Sequence, residues 1–478
     1  MKLLLNKNYS RILLLLFLVS CQPQLPDRTK PPNSTSLNEL TLPNISNFKL
    51  SNDIPVYLME KHDVPIVQFI LQINSGSFND PKEKVGLSSF TASLLDEGAD
   101  GLSSLEIADE IDYLGANLSS ISNRHSTWIS LNIPKSKLND GLKLLYSIVV
   151  NPNLDLIELN RLKEKSLTSL FQEKSQPNAL ARRLFNYVLY KEHPFGYSLT
   201  ESSINNINIE DVKKYHHDFY RPNNSKFFIA GDINQDEAKE SLEKFFLKWE
   251  ESTIPISKPV PPYNTINGVK IYLIDKPEAA QSIIRIGHFA ENRKNPDFFP
   301  ITVMNTILGG SFTSRLNYNL REKNGFTYGA RSYFIMGKDK GPFIALSAVQ
   351  TNATSQSITE FFNEFQKIKE NVSQEEVIGA KNYLALGYPN NFESISDYAS
   401  ELALLINLEL PLDSFNKYTN NINNVTKNEI INSANKYIDT NNILITIVGD
   451  KEKILQNISN LNIGQINEVT IEDIFYEN

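Results

Sequence analysis

Val56-Tyr57-Leu58-Met59-Glu60-Lys61 and Ile271-Tyr272-Leu273-Ile274-Asp275-Lys276 are two versions of one apolar run closed by an acid and a lysine, 215 positions apart. A second pair stands further along. Asn223-Asn224 precedes Phe227-Phe228-Ile229-Ala230-Gly231-Asp232, and Asn441-Asn442 precedes Ile445-Thr446-Ile447-Val448-Gly449-Asp450, an offset of 218. Nearly equal offsets at both ends mean that the interval between them is duplicated, giving two homologous domains of about 200 residues each. Both ends read as strands, the later one entered through an Asn-Asn turn. Apolar residues at helical spacing mark Gly86 to Asp96, Leu105 to Leu114 and Leu156 to Gln172 between them. Ala116 to Ile133 alternates like a hairpin. The expected fold class is α+β, with two homologous lobes of mixed helices and antiparallel sheet.

The lobes are expected over residues 48–250 and 269–478, joined by a segment over 251–268 in which Pro255 to Pro262 is rich in proline. Such a link favours extended, semi-rigid chain and would hold the lobes facing each other at a restrained distance. At 478 residues each lobe has length enough for its own core. A net charge of -8 offers no basic field for nucleic acid, so none is expected as a partner.

Residues 1–20 differ in kind. Lys2, Lys7 and Arg11 precede the apolar run Ile12 to Val19, which is too short to span a bilayer and reads as a secretion signal. Leu18-Val19-Ser20-Cys21 resembles the lipobox of bacterial lipoproteins, which implies cleavage before Cys21 and a lipid on its thiol; the other reading is a plain signal with an incidental Cys. Cys21 is the only cysteine, so an intramolecular disulfide and cysteine ligands for a metal are both excluded. Residues 21–47, rich in Pro, Ser, Thr and Asn, read as a polar tether. Gln22 after the Cys implies, in the lipoprotein sorting pattern of a two-membrane bacterium, the outer membrane, with the chain facing the periplasm.

Several local patterns then fall in one order along the chain. Gly86-Leu87 opens the first helix, Gly115-Ala116-Asn117 enters a strand, and His193-Pro194-Phe195-Gly196 precedes Phe219-Tyr220-Arg221-Pro222-Asn223. In the second half come Asp275-Lys276-Pro277, Gln281-Ser282, Gly309-Gly310, Ser314-Arg315-Leu316 and Leu320-Arg321-Glu322. With these the chain resembles the pitrilysin/insulinase (M16) metallopeptidases, which include the mitochondrial processing peptidases, over roughly Phe48 to Lys453. The resemblance implies the processing-peptidase type of metallohydrolase fold, in which two lobes form half of a clamshell that encloses peptide.

Active members of that family carry His-x-x-Glu-His on the first helix and a distal Glu. The two His project from one helical face to bind zinc, the Glu between them activates water, and the distal Glu completes the protein ligands. Aligned through Gly86, Leu87 and Phe90, the motif positions here are Ser89, Ala92 and Ser93, and the distal one is Ser169. Neutral hydroxyls are poor zinc ligands, and Ala92 has nothing to accept a proton. None of His62, His125, His193, His216, His217 or His288 stands three or four residues from another, and the pair His216-His217 reads as helix surface. No Gly-x-Ser-x-Gly surrounds the three serines to make one a nucleophile. No metal or cofactor is therefore expected on this chain and no catalytic residue is assigned to it; zinc is expected on a partner.

The resemblance also implies an Arg and a Tyr seven residues apart that bind substrate, here Arg321 and Tyr328, both present. A Tyr hydroxyl can hydrogen-bond an oxyanion, and an Arg can fix a peptide carbonyl. Read without the resemblance, Arg321 is a solvated charge and Tyr328 a strand residue half in the core. Gly309-Gly310 allows close backbone approach or a hinge. Ala116 to Ser120 corresponds to the family's substrate-pairing edge strand, though the segment equally suits a surface hairpin.

The expected function is a non-catalytic, substrate-binding subunit that pairs with a zinc-bearing relative to cleave peptides, lipid-anchored in the bacterial envelope. The alternatives are a peptide-binding or assembly lipoprotein of the outer membrane with no proteolytic role, and an independent peptidase with an unrecognised site.

Overall fold

Isoleucine, valine and phenylalanine dominate the four segments that flagged the duplication, and all four are strands. The computed structural model describes residues 41–256 and 260–475. The expected signal segment, Cys21 and most of the tether lie outside the described residues. In the first lobe the strands are β1 (Ile45–Lys49), β2 (Pro55–Glu60), β3 (Ile66–Ile73), β4 (Asn117–Ser122), β5 (Thr127–Pro134) and β6 (Ser225–Gly231). They form one sheet in the order β1-β2-β6-β3-β5-β4. The second lobe has β7 (Val269–Asp275), β8 (Gln281–Phe289), β9 (Thr327–Phe334), β10 (Pro342–Gln350), β11 (Ile443–Gly449) and β12 (Gln465–Glu468), in the order β9-β10-β8-β11-β7-β12.

Five strands therefore correspond one to one, and the repeated ends of each lobe are neighbours at its centre. β2 runs parallel to β6 with Met59 opposite Ala230, and β7 parallel to β11 with Ile274 opposite Val448. These parallel pairs inside otherwise mostly antiparallel sheets arise because a lobe's early and late strands meet side by side after the intervening helices have crossed the sheet. The lobes differ at one edge, where β1 precedes β2 and pairs with it antiparallel whereas β12 follows β7 and lies parallel to it.

The expected helices are present as α1 (Leu87–Ser93), Ser104–Leu114 and α2 (Leu156–Glu173). Serine and glutamate at Ser103 and Glu106 close a reciprocal capping box at the start of the second of these. Two further helices cross between the lobes. α3 (Pro177–Tyr190) belongs to the first lobe and packs on β8 and β11 of the second. α4 (Ile395–Asn407) belongs to the second and packs on β2, β3 and β6 of the first.

Side-chain size makes the first contact possible. Phe185 of α3 is fully buried, and its ring lies 3.0 Å from where Gly287 of β8 would carry a Cβ. The second contact is partly polar. Gln72 and Asn407 bond amide to amide at 3.0 and 2.6 Å, and Ser396 donates to Gln68 at 2.8 Å. Both glutamines are almost fully buried, so without these partners each would carry the cost of unsatisfied amide groups. The lobes are thus in direct contact, forming one compact unit from Thr41 onward. The end of the expected link packs on the first lobe, with Tyr263 stacked on His193 at 4.5 Å and Asn264 donating to the Val188 carbonyl, while Pro255, Pro261 and Pro262 before it are exposed.

Truncating Phe185→Ala should remove about 3–5 kcal/mol of stability. Trp128 and Trp249 are the only tryptophans and both lie in the first lobe. Indole fluorescence therefore follows one lobe while far-ultraviolet circular dichroism follows both. The two denaturation curves should shift together; separated transitions would show that the exchanged helices do not couple the lobes.

Candidate functional site

A buried carboxylate builds the first helix of the site. Asp80 accepts from the backbone N–H groups of Gly86 and Ser88 at 2.9 Å each and from the Ser88 hydroxyl at 3.2 Å, so it satisfies donors at the start of α1. Burial pushes its carboxyl up to about 7, against the opposing effect of these three donors. With the start of α1 fixed, Leu87, Phe90 and Ala92 turn into the core, while Ser89 and Ser93 share an exposed face one turn apart.

Ser89 and Ser93 line a cavity of about 710 Å³ together with Ser169 of α2, which lies beside Lys165, Gln172 and Arg182. Ala92 is 1% exposed, behind this wall rather than in it. The structure thus brings together three of the four positions that the sequence aligns with a metal centre. Their chemistry does not fit zinc. The Ser169 hydroxyl is spent on the Lys165 carbonyl of its own helix at 3.0 Å. Glu173, the carboxylate of the cavity wall, is drawn into ion pairs with Arg182 at 3.1 Å and Arg183 at 3.6 Å. Among the described residues no three His, Cys, Asp or Glu stand together as a possible metal site. No histidine lines the cavity, and Glu173, its carboxylate, is engaged by Arg182 and Arg183.

One histidine departs from its expected surface position. His217 is exposed, but His216 turns its ring inward, with Nε2 at 2.7 Å from the Val149 carbonyl and the ring stacked on Tyr220. Burial pushes it down to about 4, so it is a neutral packing residue. Adjacent helical positions point about 100° apart, which puts one of the two inside.

Arg321 and Tyr328 lie elsewhere and do not line the serine cavity. Arg321 sits in the helical turn Tyr318–Lys323, its guanidinium 4.7 Å over the exposed ring of Phe312. Tyr328 is on β9, one edge of the second sheet, and is 90% exposed. That exposure excludes the reading of Tyr328 as a half-buried strand residue. Its cause is a bulge: Thr327 opposes Val349 and Ala330 opposes Ser347, so Tyr328 and Gly329 share one position of β10. The Thr327 hydroxyl donates to the Ala348 carbonyl at 2.6 Å and accepts from the Gly329 N–H at 3.0 Å, which fixes the bulge.

Sequence reasoning missed the residue that joins these two elements. Asn317 is 5% exposed; its Nδ2 donates to the Phe312 carbonyl at 2.6 Å and its Oδ1 accepts from the Ala330 N–H at 3.2 Å. One amide therefore ties the loop under Arg321 to the bulge that presents Tyr328. The available signal was an amide between Leu316 and Leu320, four residues before the Arg, where an apolar residue would be expected to face the core. Gly309 shows the close-approach role, since a Cβ there would stand 2.4 Å from the Ser332 nitrogen of β9. In the first lobe β4 is the equivalent edge and packs on α1; Asn117, Ser119 and Ile121 are exposed along it.

Two family models match the chain. One described as insulinase (peptidase family M16) covers residues 56–203, and one described as peptidase M16 inactive domain covers residues 206–384. The chain is similar to an uncharacterized zinc protease, YmxG, of Bacillus subtilis (strain 168), with 24% identity over 65% of this chain and 75% of that protein. It is equally similar, at 24% identity over 84% of this chain and 93% of the other, to a protein of Helicobacter pylori named non-peptidase homolog YmxG. Among solved structures, a peptidase M16 inactive domain from Pseudomonas fluorescens superposes with a TM-score of 0.79 at 23% identity, over 85% of this chain and 98% of that one.

Asn317→Ala should cost about 1–3 kcal/mol, because it leaves the Ala330 N–H and the Phe312 carbonyl without partners. Amide exchange measured at Ala330 should accelerate. Asn317→Asp keeps the acceptor and should protect Ala330 nearly as well as the parent; equal exchange in all three proteins would remove Asn317 from this role.

Proposed function

This chain belongs to the M16 (pitrilysin/insulinase) peptidase family, and we propose that within it the chain is the non-catalytic, substrate-binding subunit of a zinc-dependent endopeptidase whose metal is held by a second chain. That the chain is a peptidase homologue of the inactive type rests on the family match and on relatives named in those terms. A relative of Arabidopsis thaliana is named a probable mitochondrial-processing peptidase subunit beta, and a peptidase built from more than one subunit is the arrangement proposed here.

One contrast carries the finer reading. The metal positions are occupied by residues that are poor zinc ligands, whereas Tyr328 stands exposed and Arg321 half-buried on a scaffold held by Asn317. In the working complex zinc on the partner would supply the activated water. Here the Arg321 guanidinium holds a peptide carbonyl, and the Tyr328 hydroxyl donates to the oxygen on which negative charge develops. The exposed backbone of β4 offers extended peptide a strand to pair with.

The chain purified alone should contain no stoichiometric zinc and cleave no peptide. Mixed with an M16 relative that carries His-x-x-Glu-His, it should raise kcat/KM by at least about a hundredfold, the range expected for lost oxyanion contacts. Arg321→Ala or Tyr328→Phe should remove most of that gain without weakening association. Full activity of the mixture after both substitutions would overturn the proposal. Zinc and robust cleavage by this chain alone would do the same.

We place this subunit at the bacterial envelope, held by lipid on Cys21 and facing the periplasm. Cys21→Ser should move the protein from the membrane fraction to the soluble periplasmic fraction. An unchanged distribution would remove the anchor.

A further inference from the structure

Alternation along β8 sends Ile284 and Ile286 into the second lobe's own core and turns Arg285 to the side where α3 packs. Cross-strand register extends that side outward. Arg285 lies opposite Leu346 of β10, and Leu346 lies opposite Arg331 of the edge strand β9. Residues directly opposite each other share a face, so the two arginines flank Leu346 in one row, roughly 10 Å apart at their Cα atoms. Arg182 reaches the same region from α3, and its charge, like that of Arg331, acts on Arg285.

Three guanidinium groups are thus gathered with little to balance them. The single carboxylate in the group is Glu173, which pairs with Arg182 and Arg183. Among the described residues no carboxylate pairs with Arg285 or Arg331. The Nε of Arg285 is buried and has no hydrogen-bond partner; its favourable neighbour is Tyr333. A buried donor left open beside two like charges destabilises a folded protein. Tyr333 offsets part of that cost and no carboxylate offsets the rest, which is the pattern expected where a ligand supplies the missing acceptor.

We infer that Arg285 and Arg331, with Tyr333 and Arg182, form a carboxylate-binding site on the face between the lobes, which recognises an acidic side chain or the C-terminal carboxylate of a bound peptide. Planar guanidinium groups match carboxylates through paired N–H donors, and Leu346 between them supplies an apolar floor that strengthens such bonds. Arg182 also lines the serine cavity, so the site borders the emptied centre and a peptide lying along it could present its carboxylate here. This deepens the peptide-binding reading and rests on it.

The test measures binding of three fluorescein-labelled decapeptides to the full chain: one with two Glu and a C-terminal amide, one with Gln in their place, and the Gln peptide with a free C-terminal carboxylate. One carboxylate-bearing peptide should bind about tenfold tighter than the neutral one, and which of the two does so identifies the source of the group. Arg331→Gln should reduce that preference to under about twofold while leaving the neutral peptide's affinity unchanged. Arg285→Gln should do the same and also raise Tm by a few degrees, a gain that a purely structural arginine would not give. If the neutral peptide binds and neither acidic peptide binds more tightly, the carboxylate site is refuted and peptide binding stands. If no peptide binds, the peptide-binding reading fails, and tricarballylate decides the site alone: a rise in Tm for the parent but not for Arg331→Gln upholds it, and no rise refutes it.

Discussion

Each lobe covers one face of its sheet with a helix that belongs to the other lobe, and the remainder of the architecture depends on that exchange. A six-stranded sheet has two faces to bury, and a lobe of this length covers one of them with its own helices. α3 and α4 supply the missing layer reciprocally, so neither lobe is complete alone. The two contacts are chemically different. α3 brings an aromatic ring against a glycine, a dry fit set by volume, whereas α4 meets Gln68 and Gln72 through a short polar network. Volume gives the first contact its strength. The second derives its geometry from hydrogen bonds that an alternative register would break.

The exchange also determines which parts of the sheets remain free. With the central strands covered on both faces, open backbone lies at the sheet edges, among them β4 in one lobe and β9 in the other, which are equivalent edges of equivalent sheets. β4 borders the helix that carries the serines, and β9 carries Tyr328. The residues proposed to meet substrate therefore lie at or beside open sheet edges. The lobes have diverged in opposite senses there: the first edge is small and polar, and the second is bulged and aromatic.

Much of this was legible in the sequence because duplication multiplies weak signals. A single Gly-Asp after an apolar run means little, whereas two at matching offsets identify the lobes and, as it proved, their central parallel pairs. The serines at the metal positions were legible for a similar reason, since helical spacing alone puts Ser89 and Ser93 on one face. Long-range choices were not legible. Nothing in Pro177–Tyr190 says that its apolar face meets the other lobe, because amphipathic spacing reports that a face is buried without naming the surface that buries it. His216 and Asn317 were missed for a related cause. Each is a polar residue whose role is set by one carbonyl or N–H distant in sequence, at Val149 and Ala330.

Burial distinguishes the two candidate sites. A carboxylate at position 92 would be almost entirely removed from water, and without a metal to balance it the charge would cost several kcal/mol. Alanine is the residue a stable fold without a metal favours there, and serines at 89, 93 and 169 are readily accommodated on an exposed wall. The opposite argument applies to Tyr328. An aromatic ring 90% exposed on a bulge contributes almost nothing to stability, and the bulge forfeits regular pairing. Yet Thr327, Gly329 and a buried Asn317 are all committed to holding it in place. Stability accounts for Ala92 and leaves Tyr328 unexplained. An arrangement maintained against its cost is what the proposed docking of substrate at Tyr328 would account for.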